Sequence, residues 1–356
     1  MENLPDHLRI EILLRLPVKS LARLKCVSKS WLSLISDPNF PKLHFQRSTL
    51  HYTHRFPYLV QANQMRAIDL NASLHDDSAA ISFDFPSDYD VNLVCCRGFL
   101  LLLHKKGDKL LVWNPSTGER KQILLPKTCI NFELHGFCYD ESSDDYLIVL
   151  ASLGCGIAFR VFSIRTNSWN REFAFNHPAS ITPLYPEVAG SVVNGVIHWL
   201  VRFHEGQIPE NNILALDLKT DKVRQIVPKL DDFEPRVCYL RVFGESLALI
   251  DATIDYNEIN VWEMKECGGK SSWTKVMSIP RNSEVGALVS PLCLTKDGQL
   301  VTLHSYLTPL TLSKWSSEQG KLEGDRICNS SLKGYCCFAA TPLYTETLLS
   351  LPSQQS

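Results

Sequence analysis

The chain has 356 residues, of which 45% are hydrophobic and 21% charged, a balance typical of a folded soluble protein rather than a long disordered chain. At about 150 residues per domain, this length predicts roughly two domains. The net charge of −2 argues against a protein whose main work is to neutralise nucleic-acid phosphates, because such domains are strongly basic. We therefore expect no nucleic-acid partner.

The twelve cysteines do not form the pattern of a metal site, since none lies in a Cys-x-x-Cys arrangement. The doublets Cys95-Cys96 and Cys336-Cys337 would point to opposite faces of a strand, which suits neither a zinc site nor a disulfide framework. The longest apolar stretch, from Tyr146 to Phe159, is shorter than the ~18 residues of a membrane span, and no signal peptide is visible. We therefore expect no metal, cofactor or membrane contact, and a location in the cytosol or nucleus.

The first 47 residues differ from the rest of the chain in charge and in periodicity. They carry eight basic and four acidic side chains, so their net charge is +4 and the remainder of the chain carries −6. The charges are spread among apolar residues at helical spacing. This distribution indicates the solvated face of helices rather than a basic arm for nucleic acid.

The N-terminal segment predicts three short helices. Pro5 suits a first helical turn, and Pro17 ends the first helix because proline cannot continue the hydrogen-bond ladder. A second helix spans Val18 to Val27, and a third ends at Asp37-Pro38. These helices carry more apolar side chains than a module of ~45 residues can cover, so some must pack on a partner or on the following domain.

One continuous motif covers these helices. Its residues are Leu4-Pro5-x-x-Leu8, Glu11-Ile12-Leu13-x-Arg15-Leu16-Pro17-Val18-Lys19-Ser20-Leu21, Arg23 and Cys26-Val27-Ser28-Lys29-x-Trp31. The motif closely resembles the F-box, which implies that the segment binds the Skp adaptor and, through it, a cullin scaffold. The resemblance places on or near the adaptor surface Leu4, Pro5, Leu8, Ile12, Leu13, Leu16 and Pro17. It also matches positions in the core or rim of the module, which we include in the adaptor-binding set: Leu21, Val27 and Trp31.

From about residue 56 onward, short apolar runs alternate with turn residues, a pattern that indicates an all-β domain. A two-part repeat runs through this domain. Its first part is a turn residue followed by an apolar strand, and it begins at Gly98, Asp145, Gly195, Gly244 and Gly298. Its second part is a strand followed by a tight turn, and it begins at Ala67, Val112, Val161, Ala215, Val261 and near Leu312.

The second part recurs after 45, 49, 54, 46 and 51 residues. Blades of WD40 propellers span ~40–45 residues and those of kelch propellers ~50. The chain contains no Trp-Asp dipeptide, and the Gly-Gly pair of kelch repeats occurs only at Gly268-Gly269. We therefore predict a divergent, kelch-like β-propeller of six blades, closed by a strand within Tyr335 to Leu349. An open pair of β-sandwiches is the alternative.

Four phrases of the β-domain carry a further resemblance: VWNPSTG from Val112, HGFCYD from His135, VNGVIHW from Val193 and LALD from Leu214. Together with the N-terminal motif, they resemble the F-box-associated domain of plant F-box proteins, over residues 90–310. The resulting division is an F-box at 1–47, a linker at 48–57 and a propeller-like recognition domain at 58–350. The resemblance implies a non-catalytic receptor that captures a protein for ubiquitination and proteasomal degradation.

Motifs of catalysis are missing from the sequence, which contains no H-E-x-x-H, G-x-S-x-G or G-x-G-x-x-G pattern. His198 and Trp199 are adjacent on a strand, where alternation should bury one of them. We therefore assign no catalytic residue. The alternative function is a propeller-type carbohydrate-binding protein or glycan-acting enzyme, which would leave the N-terminal motif without a role.

Loop lengths predict where a target protein binds. Turns between the first and second and between the third and fourth strands of a blade share one rim, and here they are tight, as at Asn194-Gly195. The connections on the other rim are long, and binding residues concentrate on such loops. We predict that acidic residues with two aromatic anchors there bind a basic segment of an unknown protein substrate: Glu205, Glu210, Asp231, Asp232, Phe233, Glu234, Asp255 and Tyr256.

Overall fold

The computed structural model describes residues 5–50, 54–61, 63–74, 76, 80–90, 94–127, 132–154, 156–184, 188–205, 209–228, 238–251, 258–267, 270–280, 289–304, 310–316, 322–328 and 343–353. An N-terminal helical module precedes a ring of β-sheets. No helix in these ranges is both long and apolar enough to cross a membrane.

The helical module contains four helices, one more than predicted: α1 (Asp6–Leu13), α2 (Val18–Leu24), α3 (Lys29–Ile35) and α4 (Phe40–Leu50). Pro5 and Pro17 immediately precede α1 and α2, and the Ser28 hydroxyl caps α3 by accepting a hydrogen bond from the Trp31 amide. Asp37-Pro38 does end α3, but a new helix starts two residues later because Phe40 is buried in the core of the module. Helix α4 therefore extends into the segment that was predicted as linker.

The β-domain consists of six antiparallel sheets, and its strands are as follows. The first three sheets contain β1 (Arg55–Gln61), β2 (Gln64–Asp69) and β3 (Ile81–Asp84); β4 (Val94–Cys96), β5 (Phe99–Leu103), β6 (Lys109–Trp113) and β7 (Arg120–Leu124); and β8 (Leu134–Asp140), β9 (Asp145–Gly154), β10 (Gly156–Ser163) and β11 (Ser168–Phe175). The fourth contains β12 (Ser180–Pro183), β13 (Ser191–Val193), β14 (Val196–His204), β15 (Glu210–Asp217) and β16 (Lys222–Ile226). The last two contain β17 (Cys238–Phe243), β18 (Ser246–Asp251), β19 (Glu258–Cys267) and β20 (Lys270–Pro280); and β21 (Val289–Leu294), β22 (Leu300–His304), β23 (Leu310–Trp315) and β24 (Leu322–Cys328).

Each sheet is one blade of a six-bladed propeller, as the repeat predicted. All six starts of the second repeat part fall in the six matching strands β2, β6, β10, β15, β19 and β23. Six separate hydrophobic clusters each join two neighbouring blades, and the last of them joins the sixth blade to the first. A chain of blades that shares a core at every junction is a closed ring, which excludes the alternative of open sandwiches.

Strands in the middle of a blade are packed on both faces, which explains their continuous apolar runs. In β5, Leu100 and Leu102 pack toward the first blade, whereas Phe99 and Leu101 pack toward the third. For the same reason His198 and Trp199 are both buried, and the prediction that alternation would bury only one of them is wrong. That prediction assumed a sheet with one solvated face.

The first blade lacks an innermost strand from its own stretch of chain. Its first strand β1 instead receives the C-terminal segment, because Arg55 and Tyr344 exchange two backbone hydrogen bonds of 2.8 and 2.9 Å. The predicted closing strand spans Tyr335 to Leu349, of which residues 335–342 lie outside the described residues. The described part of the C-terminal segment joins the first blade by this single β-bridge; the prediction named a closing strand but no blade for it.

Candidate protein-interaction surfaces

Several large apolar side chains of the helical module face solvent. Leu8 and Ile12, one turn apart on α1, are 42% and 44% exposed, and Val27 between α2 and α3 is 66% exposed. The core of the module is complete without them: Leu13, Val18, Leu21, Ile35 and Phe40 are each buried. Leu8 and Ile12 thus present neighbouring apolar side chains on α1, and Val27 exposes a further one; none of the three belongs to the core of the module.

The structure divides the predicted adaptor-binding set into surface and core. Leu13 and Leu21 are fully buried and build the core of the module, which agrees with the core or rim position given to Leu21 and places Leu13 beneath the surface rather than on it. Leu16 and Trp31 are partly buried against that core. Pro5 and Pro17 are exposed, and Leu4 lies outside the described residues.

Two further exposed leucines were missing from the predicted set, Leu32 on α3 and Leu43 on α4, which are 45% and 46% exposed. A helical projection of α3 would have found the first. Trp31 and Ile35 lie one turn apart and pack inward, which leaves Leu32 on the outer face.

Helix α4 docks on the rim of the propeller that carries the tight turns. The Lys42 ammonium lies 3.5 Å from the Asp144 carboxylate, at the turn between β8 and β9. The Arg97 guanidinium, at the turn between β4 and β5, lies 5.2 Å from the ring centre of Phe45 and 3.9 Å from that of Tyr139. Arg97 therefore joins a helix of the module to the second and third blades.

Asp144 holds several of these groups together. It accepts a hydrogen bond from the Tyr139 hydroxyl, and its carboxylate lies 3.2 Å from Arg165. The hydrogen bond from Tyr139 and the positive charges of Lys42 and Arg165 lower the pKa of Asp144. Asp145 beside it is buried and accepts hydrogen bonds from the Ser163 hydroxyl and the Arg165 amide. The adjacent carboxylates thus have structural partners.

The opposite rim carries the long connections, and Glu205 and Glu210 are both exposed there. Glu205 lies 3.2 Å from His177 Nε2. The imidazole of His177 stacks on Phe175, with ring centres 5.7 Å apart, and meets the ring of Phe203 edge-on at 4.8 Å. The sequence analysis missed His177, Phe175 and Phe203, which make an aromatic support for the acidic group.

Six of the eight predicted target-binding residues lie outside the described residues: Asp231, Asp232, Phe233, Glu234, Asp255 and Tyr256. For the turns of the other rim, the prediction is confirmed at Asn194-Gly195, where both residues have positive φ of 51° and 77° between β13 and β14. The predicted tight turn is thus confirmed at this place on the rim.

His135 on the innermost strand β8 gives the fold a pH dependence. Burial lowers the pKa of its imidazole to about 4. An unfolded histidine titrates at ~6.5, so below that pH the unfolded chain takes up a proton here that the folded chain does not. The free energy of unfolding therefore keeps its full value above this pH and falls by roughly 3 kcal/mol as the pH drops toward 4. We expect His135→Gln to reduce the loss of stability between pH 7 and pH 4.5 in urea unfolding.

The matched control for this measurement is His7→Gln, because His7 is exposed on α1. Burial also lowers the pKa of His44 and of His54, so the His135 variant should reduce the pH dependence without removing it. An unchanged pH dependence in His135→Gln would contradict the assignment.

Comparisons with known proteins agree with this division into a helical module and a propeller. The family model of the F-box domain matches residues 1–43, and that of the F-box associated beta propeller domain matches residues 56–304. An F-box/kelch-repeat protein of Arabidopsis thaliana is 29% identical over 85% of each chain, and F-box protein CPR1 of Arabidopsis thaliana is 26% identical over 93% of this chain and 86% of its own. Among solved structures, the Dos1 propeller is similar with a TM-score of 0.41 at 13% identity, over 75% of this chain and 66% of its own.

Proposed function

This chain belongs to the F-box proteins that carry an F-box associated β-propeller domain, and we propose that it is the substrate-recognition subunit of a Skp–cullin–F-box ubiquitin ligase. The observation that carries this proposal is the exposed apolar surface of Leu8, Ile12 and Val27 on a module whose core is already filled. Such side chains are interface anchors when a partner removes them from water. In this proposal the partner is the Skp adaptor, which joins the chain to a cullin in the cytosol or nucleus.

The arrangement of the two rims supports a receptor role. Helix α4 contacts the tight-turn rim through Lys42 and Phe45. The rim with the long connections lies at the other end of the blades, where Glu205 and Glu210 are exposed. One end of the molecule would then hold the ligase and the other end the target, and the chain itself would catalyse no reaction.

The proposal is tested by mixing the purified full-length chain with the Skp adaptor and the cullin. We expect a stable ternary complex in size-exclusion chromatography, and ubiquitination of captured proteins when the remaining ligase components are added. Glycan binding or hydrolysis by a chain that forms no complex with the adaptor would instead favour the carbohydrate-acting alternative.

We further propose that the acidic group on the long-connection rim binds a basic segment of the target. Glu205 and Glu210 are its described members, and Asp231, Asp232, Phe233, Glu234, Asp255 and Tyr256 are assigned to it by sequence alone. Opposite charges across an interface steer association and select the partner. His177, which packs against Phe175 and Phe203, holds the Glu205 carboxylate in position.

We expect Glu205→Lys together with Glu210→Lys to remove target proteins that are captured by the wild type in proximity labelling with the proteasome blocked. Reversal of both charges replaces attraction by repulsion at the same place. A matched control is Glu172→Lys, which reverses an exposed charge on the outermost strand β11.

Adaptor binding should persist in both variants, because Glu205 and Glu210 lie on the rim opposite the one that α4 contacts and Glu172 lies on the outermost strand of the third blade. The same set of captured proteins in the double variant and the wild type would rule out this group as the target site.

A further inference from the structure

The last described residues of the chain lie between the helical module and the propeller. After its bridge to β1, the chain continues through residues 343–353, which we name the C-terminal strap. Its residues Thr345, Thr347, Leu348 and Leu349 are 7%, 0%, 9% and 6% exposed. Burial of this degree is unusual for a chain terminus, which is commonly poorly ordered unless it is tied down.

The propeller holds the strap by hydrogen bonds from a buried asparagine. Asn114 at the end of β6 is fully buried, and its Nδ2 donates to the carbonyl oxygens of Thr347 and Leu349, at 3.2 Å each. Its Oδ1 accepts from the Ser116 amide at 2.9 Å, so the turn after β6 fixes the side chain. Tyr344 adds a hydrogen bond to the Ser116 hydroxyl.

A glycine lets the strap pass close to the second blade. Gly98 has a φ of +84°, and a Cβ atom there would lie 2.5 Å from the Thr345 carbonyl oxygen and closer still to the Thr347 side chain. Any other residue at this position would push the strap away from the turn between β4 and β5.

Neighbouring leucines of the strap point into two different cores. Leu348 packs in the core of the helical module with Leu13, Leu21 and Ile35, and among the described residues of that cluster it alone comes from outside the module. Leu349 packs in the core between the second and third blades. Two consecutive residues of the strap therefore contribute to two different cores.

An ion cluster connects the strap to the first blade. Arg55 lies 3.4 Å from the Glu346 carboxylate and 3.8 Å from that of Asp69, and the side chains of Arg55 and Glu346 are 14% and 15% exposed. A cleft of about 490 Å³ opens beside this cluster, between the α1–α2 turn and the first blade. The helical module and propeller therefore do not pack tightly everywhere, and their connection depends on the strap and on α4.

We propose that the C-terminal strap couples the helical module to the propeller, so that the two move as one rigid body. The strap packs in the core of the module and in a core of the propeller. If its contacts with one of these parts are removed, the other part is therefore destabilised as well. The coupling itself does not depend on the proposed function. Its consequence does: if the chain is a ligase receptor, the target rim would keep a fixed position relative to the ligase.

The test is hydrogen exchange of full-length Asn114→Ala. This substitution removes both hydrogen bonds to the strap from the propeller side, and Asn114 is not part of the core of the helical module. If the strap couples the two parts, amides of α2 and α3 should exchange about tenfold faster or more, although these helices lie on the other side of the strap.

Asp217→Ala is the matched control. Asp217 occupies the same place in the fourth blade, at the end of β15, and accepts from the Lys219 amide at 2.9 Å as Asn114 accepts from Ser116. It should disturb its own turn and leave the exchange of α2 and α3 unchanged. Helix amides that exchange at the wild-type rate in Asn114→Ala would overturn the coupling.

A substitution on the other side of the strap keeps the proposal testable if Asn114→Ala does not fold. Leu348→Ala acts from the helical side and should speed exchange of the amides at Ser116 and Thr117 in the propeller, whereas an effect limited to the helices would refute the coupling. Adaptor binding is measured in parallel. Its absence in the wild type would count against the proposed function and would not affect the exchange result.

Discussion

Leu8→Asp together with Ile12→Asp should abolish binding of the Skp adaptor and leave the chain folded. Both side chains are more than two-fifths exposed and neither belongs to the core cluster of the module, so their replacement removes little from that core. In a complex they would be buried, and burial of a carboxylate in place of a leucine or isoleucine loses apolar contact and adds a desolvation cost, together roughly 3 kcal/mol or more. This corresponds to a Kd weakened by at least about a hundredfold. Isothermal titration with the purified adaptor measures the change.

Leu124→Asp is the matched control for this pair. Leu124 is 76% exposed on β7 of the second blade, far along the chain from the helical module. It introduces one Asp at an apolar residue that is more exposed than Leu8 or Ile12, and the Kd for the adaptor should remain within about twofold of the wild-type value. Wild-type affinity in the α1 pair would show that the adaptor binds elsewhere and would remove the main support for the proposed function.

The second large effect is expected at Trp199, a large side chain in the core between the third and fourth blades. Trp199 is fully buried, its Nε1 donates to the His135 carbonyl oxygen at 2.9 Å, and its ring lies 6.0 Å from that of Phe159. Trp199→Ala leaves a cavity at the junction and should lower the free energy of unfolding by about 3–5 kcal/mol. Urea unfolding followed by circular dichroism measures the change.

Trp169 provides the comparison, because it is only partly buried, on the outermost strand β11 of the third blade. Trp169→Ala should cost much less, about 1 kcal/mol, since the neighbouring structure and solvent can fill the space. An equal decrease in the free energy of unfolding in the two variants would mean that the junction between the third and fourth blades stabilises the fold no more than the outer edge of a blade.

The architecture of the chain follows from local signals. The repeat of 45 to 54 residues predicted six blades because each blade needs the same succession of apolar strands and turn residues. The Asn194-Gly195 pair predicted its hairpin because both residues must adopt positive φ, which few side chains tolerate. The N-terminal motif predicted the helical module for a similar reason: Pro5 and Pro17 fix where its first two helices begin.

These local signals did not predict which residues of the helical module are buried. Leu8 and Leu13 are both leucines of α1, yet one is 42% exposed and the other is fully buried. Periodicity gives a helix an apolar side, but the neighbours that cover each residue come from α2, α3, α4 and the strap. The missed helix α4 has the same cause, since Phe40 and His44 are held by contacts with distant residues, such as the 2.9 Å bond between His44 Nε2 and the Leu16 carbonyl oxygen.

The sequence by itself determined the two domains, the number of blades, the difference between the rims and the family motif, because each depends on residues close together in the chain. Only the tertiary structure decided which apolar residues of the module face solvent and how the C-terminal strap joins the two parts. The contacts of the strap span the whole β-domain: Asn114 and Thr347 are separated by 233 residues. Such a contact exists only after the ring has closed, since closure brings the end of the chain back beside the first two blades.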